Sequence, residues 1–119
     1  MPTRKDDNGR IALLQGTLDL LILRVLLFGA CHGQGIARVI QHQSEEVFFV
    51  DHGSLYLALQ RLEDGGIISA KWCVSENSRK ARFYSLTTRG RAQLTAKTTQ
   101  WNGLKKAMES ILSPAKEEA

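Results

Sequence analysis

The chain has 119 residues, the size of one ordinary domain, and sets 16 Lys+Arg against 12 Asp+Glu for a formal net charge of +4. At 43% hydrophobic and 24% charged it is globular rather than disordered; its longest apolar run, Leu20 to Cys31, is broken by Arg24 and falls short of the roughly 18 residues that span a bilayer. Two widely spaced cysteines, Cys31 and Cys73, argue against a zinc module or a secreted disulfide scaffold, and the charged start Met1–Asn8 lacks the apolar core of a secretory signal, so a cytoplasmic protein without membrane contact is expected.

Residues 1–12 read as a flexible N-terminal segment. Thr17, followed by acidic Asp19, predicts the N-cap of a first helix that runs to about Phe28 and stops at Gly29. Leu18, Leu21, Ile22, Val25 and Phe28 recur at helical spacing, and Leu20, Leu23, Leu26 and Leu27 fill the other faces, so this helix is expected to be buried nearly all round. A second helix fits Gly33 to about Gln43, with Ile36, Val39 and Ile40 inward, and Glu45–Val50 is a short apolar connector. A third helix fits Gly53–Asp64. Leu55, Ala58, Leu59 and Leu62 form its inward stripe, Tyr56, Gln60, Arg61, Glu63 and Asp64 point outward, and Gly65-Gly66 supplies a left-handed stop on which Ile67 folds back.

The period then changes from helix to strand. Ile68, Ala70, Trp72 and Val74 alternate with Ser69, Lys71 and Cys73, Ser75–Ser78 is turn chemistry, and Ala81–Leu86 supplies the returning strand. A last helix, capped by Thr87, fits Thr88 to about Leu112. Leu94, Trp101 and Met108 fall in one seven-residue column and Lys97, Leu104 and Ile111 in another. A helix this long on a small body cannot cover both columns with its own chain, so it predicts a homodimer with Leu94, Trp101, Leu104, Met108 and Ile111 at the interface. Residues 113–119, after a Ser-Pro breaker, read as a flexible tail.

Charge is distributed as unevenly as structure. Residues 1–67 carry a net −2, residues 68–106 a net +8 with Glu76 as their one acid, and the last thirteen a net −2. A block of one sign that includes a hairpin tip (Arg79, Lys80, Arg82) suits a polyanionic partner. Three short helices, a basic hairpin and a long terminal helix predict a mainly α fold: a winged helix-turn-helix over residues 13–87 with a two-stranded β-wing, then a dimerisation helix over residues 88–112. In such a fold one helix enters the major groove of double-stranded DNA, and the hairpin reaches phosphates or the minor groove.

Four stretches resemble the PadR-like transcriptional regulators. They are Gly16-Thr17-Leu18-Asp19-Leu20-Leu21-Ile22-Leu23, Gly29-Ala30-Cys31-His32-Gly33, Gly53–Glu63 with its Leu55-Tyr56 pair before Leu59-Gln60-Arg61-Leu62, and Arg79–Gly90 ending in Leu86-Thr87-Thr88-Arg89-Gly90. The resemblance covers about residues 13–112, in order, and the single terminal helix is similar to the branch with a short C-terminal region. Leu57 stands where the family commonly has Pro, and Gln34 where it commonly has Tyr. The resemblance implies a sequence-specific DNA-binding regulator, a dimeric repressor on a palindromic operator. Ser54, Tyr56, Leu57, Gln60 and Arg61 then face DNA from the third helix, and Arg79, Lys80 and Arg82 grip the backbone from the wing. Gln60 suits an adenine edge, which Gln pairs bidentately. Five of these side chains have a second reading, Tyr56 as a packed ring with a wet hydroxyl, Arg61 as an i,i+3 partner of Asp64, and Arg79, Lys80 and Arg82 as a solvated turn.

Trp101 offers a flat face to a planar ligand where the seam leaves a gap, which makes a small-molecule effector of unspecified identity a candidate partner; in the other reading Leu104 and Met108 close the seam and Trp101 is interface core. His32, His42 and His52 fall on different elements and predict no metal site, and Cys31 reads as a buried apolar residue. Without a Gly-x-Ser-x-Gly, Walker loop, dinucleotide fingerprint or paired carboxylates, neither catalytic residues nor a cofactor are expected. The rival reading keeps the winged fold as a protein-protein adaptor whose basic hairpin meets an acidic partner.

Overall fold

The computed structural model describes residues 11–12, 15–74 and 76–114; the expectations for residues 1–10 and 115–119 lie outside them. The chain begins with β1 (Ile11–Ala12), then α1 (Gln15–Leu27), β2 (Cys31–His32), α2 (Gly33–Gln43), β3 (Phe48–Phe49) and α3 (His52–Asp64). A hairpin of β4 (Ile68–Val74) and β5 (Lys80–Leu86) leads into α4 (Thr88–Leu112). Ile11–Ala12, expected within the loose N-terminal segment, instead pairs in parallel with β3, Ile11 opposite Phe48 and Ala12 opposite Phe49.

The helix α1 starts two residues before Thr17, so Thr17 lies inside it rather than capping it. The reason is tertiary: the Asp19 carboxylate, expected to serve the helix start, is buried and engaged with α3. Burial is also one-sided. Leu18, Ile22, Leu23 and Leu26 are covered, while Arg24 is exposed and Phe28, already beyond the helix end, is 75% exposed. The exposed Phe28 ring lies 4.9 Å below the Arg24 guanidinium.

Each helix start has a local cause. At α2, the ring Nδ1 of His32 accepts the Gly35 N–H at 3.0 Å, which offsets the weakness of a helix opened by two glycines. Its buried face is Ile36, Ala37 and Ile40, with Val39 only half-buried. At α3, Asp51 caps by accepting the Ser54 N–H at 2.8 Å, and the helix begins one residue before Gly53. Its inward stripe is the expected Leu55, Ala58, Leu59 and Leu62. The end of α3 is a Schellman turn: Gly66 takes φ +74°, its N–H bonds Glu63, and the Ile67 N–H bonds the Leu62 carbonyl.

The hairpin pairs in antiparallel register from Ile68 opposite Leu86 to Val74 opposite Lys80. A third strand joins it: β2 pairs with β5, Cys31 opposite Tyr84 and His32 opposite Phe83, giving the order β2-β5-β4. The expected two-stranded wing is therefore the outer part of a three-stranded sheet, and β2 ties its base to α2. Ile68 and Tyr84 at that base are buried, whereas Trp72 and Val74 toward the tip are exposed.

The Thr87 hydroxyl locks α4 to the sheet. It accepts the Gly90 N–H at 3.0 Å and lies 2.8 and 2.9 Å from the Gly66 and Ile67 carbonyls, to which it donates. Gly90 packs directly on the Ile67 carbonyl, and a methyl group there would overlap it. Leu94, expected at a subunit interface, is instead buried in the protomer's own core with Ile22, Leu23, Ile36, Leu55 and Leu59. From Thr98 to Leu112 every residue of α4 is exposed, because the helix, about 37 Å long at 1.5 Å per residue, outruns the body that supports it.

Candidate nucleic-acid interface

The helix α3 presents two flanks. One faces the hairpin across a cleft of about 490 Å³, lined by Tyr56, by Gln34 and Arg38 of α2, and by Trp72, Arg79, Lys80 and Arg82 of the sheet. The other faces α1 across a groove lined by Leu18, Ser54, Leu57, Gln60, Arg61 and Asp64. The expected DNA-facing residues thus divide between the two sides of one helix. Arg38 was missed in the sequence because nothing in its neighbourhood marks α2 as part of a cationic surface; it joins one only when the hairpin folds against α2.

Tyr56 is set by a glycine. A Cβ at Gly33 would overlap the Tyr56 hydroxyl and ring, so the missing side chain in the His32-Gly33 step is what lets the ring lie across the start of α2. Nearly half of Tyr56 stays exposed: its ring lies against Gly33 and its free side lines the cleft. Ser54 is less free than expected, since its hydroxyl donates to the Asp51 carboxylate at 3.0 Å. Those two hydrogen bonds, first from the Ser54 N–H and then from its hydroxyl, hold the Asp51 carboxyl below its ordinary range.

Arg61 follows neither sequence reading. It makes a bidentate ion pair with Asp19 of α1, at 2.8 and 3.1 Å, and Asp19 is only 5% exposed. The hydrogen bonds it donates to Asp19 push the guanidinium up from its ordinary range, so it stays charged, but two of its donors are committed to the protein. Arg82 is likewise engaged: it pairs with Glu63 at 2.8 Å and lies 5.9 Å over the Trp72 ring. Its Nε is buried without a protein partner. Arg79 and Lys80 are exposed at the hairpin tip. Burial pushes the thiol of half-buried Cys31 up from its ordinary range.

Among the described residues no helix is long and apolar enough to cross a membrane. His32, His42 and His52 lie apart, and His32 serves as a helix cap packed edge-on to Phe83 at 5.2 Å between ring centres.

This arrangement, a capped helix between a cationic cleft and an α1 groove, matches a family model. The model of the transcriptional regulator PadR-like family aligns with residues 22–96, more than half of the chain. The chain belongs to the PadR-like family. A solved PadR family transcription regulator from Clostridium difficile is 32% identical, superposes with a TM-score of 0.71, and matches 81% of this chain and 98% of its own. A transcriptional regulator from Clostridium thermocellum is 26% identical with a TM-score of 0.76, over 83% of this chain and 96% of that one. A protein from Lysinibacillus sphaericus is 28% identical over 103 residues, 87% of this chain and 94% of that one. This PadR-like chain is thus a winged-helix transcription regulator of a DNA-binding family. Its two sequence departures fall at the candidate interface: Gln34 on the cleft, and Leu57 on the outer side of α3.

Proposed function

We propose that this PadR-like regulator is a cytoplasmic homodimer that represses transcription by occupying a palindromic operator. Each α3 would enter a major groove, with the hairpin tip on the flanking backbone. The observation that carries the reading is the shared cleft, in which Tyr56 of α3, Arg38 of α2 and Arg79 and Lys80 of the hairpin meet on one surface. Cations flanking a helix ridge that itself carries none separate the two tasks of a DNA reader, holding phosphates and reading bases. Gln60, outward on α3, is the residue for an adenine edge.

The partner subunit would cover the exposed Trp101, Leu104, Met108 and Ile111 of α4. Two copies then present their recognition helices to half-sites about one helical turn, roughly 34–36 Å, apart. A dimer seated there excludes other proteins from the same DNA, which is repression. The apolar hollow formed by Trp101, Leu104, Met108 and Leu112 is the place where a planar effector would bear on the dimer.

Selection of bound sequences from a random duplex pool, followed by fluorescence anisotropy at two salt concentrations, tests the proposal. The expected result is a palindromic consensus and a log–log salt slope steeper than about −4. An unenriched pool with a flat slope would leave the adaptor reading.

A further inference from the structure

The outward ridge of α3 follows from its buried one. With Leu55, Ala58, Leu59 and Leu62 inward, 100° per residue places Gly53, Leu57, Gln60 and Asp64 on the opposite side, and all four are exposed. No lysine or arginine stands on this ridge. The nearest cation, Arg61, is turned aside into its ion pair with Asp19, and the Asp51 carboxylate already accepts the Ser54 N–H at the helix start. A ridge so built gains little from phosphates; it is a surface for base edges.

On such a surface Leu57 is 69% exposed. A leucine side chain in the major groove meets one apolar group, the 5-methyl of thymine, since the other base edges present only donors and acceptors. Leu57 and Gln60 are three residues apart, about 4.5 Å along the helix axis, close to the roughly 3.4 Å between base pairs. They therefore address neighbouring pairs.

We propose that Leu57 is a specificity-determining residue that reads the 5-methyl of a thymine in the base pair next to the one read by Gln60. The inference rests on the DNA-binding reading above and deepens it. Gly53, one turn before Leu57, has no side chain to hold the ridge off the groove floor. Asp64, at the far end, repels the backbone, so the contact falls on the N-terminal half of α3. Covering one methyl group is worth about a four-fold change in affinity per subunit, or about fifteen-fold for both half-sites of a dimer.

The test removes that methyl from either side. In the selected operator, thymines are replaced one symmetric pair at a time by deoxyuridine, which keeps the pairing and deletes only the methyl. Binding is then measured by anisotropy for the wild-type chain and for Leu57→Ala. Alanine on an exposed helix face preserves folding, which circular dichroism and the thermal midpoint verify. The expected result is one thymine pair whose replacement weakens wild-type binding by about fifteen-fold, and whose replacement leaves Leu57→Ala binding unchanged. All other positions and the salt slope should respond alike in both proteins. Equal penalties for the two proteins at every thymine would overturn the Leu57 assignment while leaving DNA binding intact. A wild-type chain with no salt-dependent duplex binding would overturn both.

Discussion

Arg61 illustrates a side chain whose role is set by a residue 42 positions away. In the sequence it offered a local partner, Asp64, or a phosphate; in the fold it neutralises Asp19, which sits on a helix that the sequence shows only as an apolar run. Removing Arg61 leaves a carboxylate buried and unpaired. Arg61→Met should therefore destabilise the protomer by about 2 kcal/mol, below the roughly 3–5 kcal/mol of a fully buried pair because the guanidinium still reaches solvent. Asp19→Asn, which keeps an acceptor in place, should cost less. Urea midpoints of the two variants decide it, and equal losses would show that the pair contributes by shape alone. Asp51 gives the pH counterpart. Its folded pKa is depressed by the Ser54 hydrogen bonds, so the stability it contributes is complete above the unfolded value of about 3.9 and fades as pH falls through the lower folded value. The urea midpoint of Asp51→Ala should lie below that of the wild type at pH 7, and the gap should narrow as pH falls below the unfolded value.

At the scale of elements, what was legible depended on having a period. The bounds of α2, β4 and α4 follow from apolar spacing and from Thr87, Gly33 and the Gly65-Gly66 stop. The two-residue strands β1, β2 and β3 have no period to read, and so the third strand of the sheet was missed. Its consequence is functional: β2 fixes the hairpin against α2 and so closes the cleft that holds Arg38 and Tyr56. The hairpin cations were legible as a set but not as individuals. Arg82, tied to Glu63 and stacked on Trp72, belongs to the α3–sheet contact, whereas Arg79 and Lys80 are exposed and are the pair proposed to hold phosphates. Arg79→Ala with Lys80→Ala should lower the salt slope by up to about 4 in a dimer, at about 0.9 per phosphate contact and two contacts per subunit. Adding Arg82→Ala should chiefly lower the thermal midpoint and move the slope little. A further drop of the slope by about 2 would show that Arg82 leaves Glu63 on DNA.

For the molecule as a whole, α4 divides into two parts with different duties, and the seven-residue pattern does not reveal the division. Leu94 shares a column with Trp101 and Met108, yet it is buried in the core against which Leu27 of α1 also packs, while the later members of the column are exposed. The pattern measures apolar spacing along the helix; which turns the protomer covers depends on where α1 ends, at Leu27. This sets apart two substitutions that look equivalent in sequence. Leu94→Glu buries a charge in the protomer core and should unfold the chain, with loss of the cooperative thermal transition. Trp101→Glu with Leu104→Glu changes surface positions of the protomer, so circular dichroism should be unaltered. In the proposed dimer the same pair would place charges in the subunit seam, where they cost several kcal/mol, enough to shift it to monomers at tens of micromolar. Sedimentation velocity reads the difference directly: dimers for the wild type, folded monomers for the double variant. Because a monomer carries half the phosphate contacts, the variant should also bind the operator with about half the wild-type salt slope. A wild-type chain that sediments as a monomer would overturn the homodimer, whereas a double variant that remains dimeric would move the seam away from the end of α4 and toward the exposed Phe28 edge of α1.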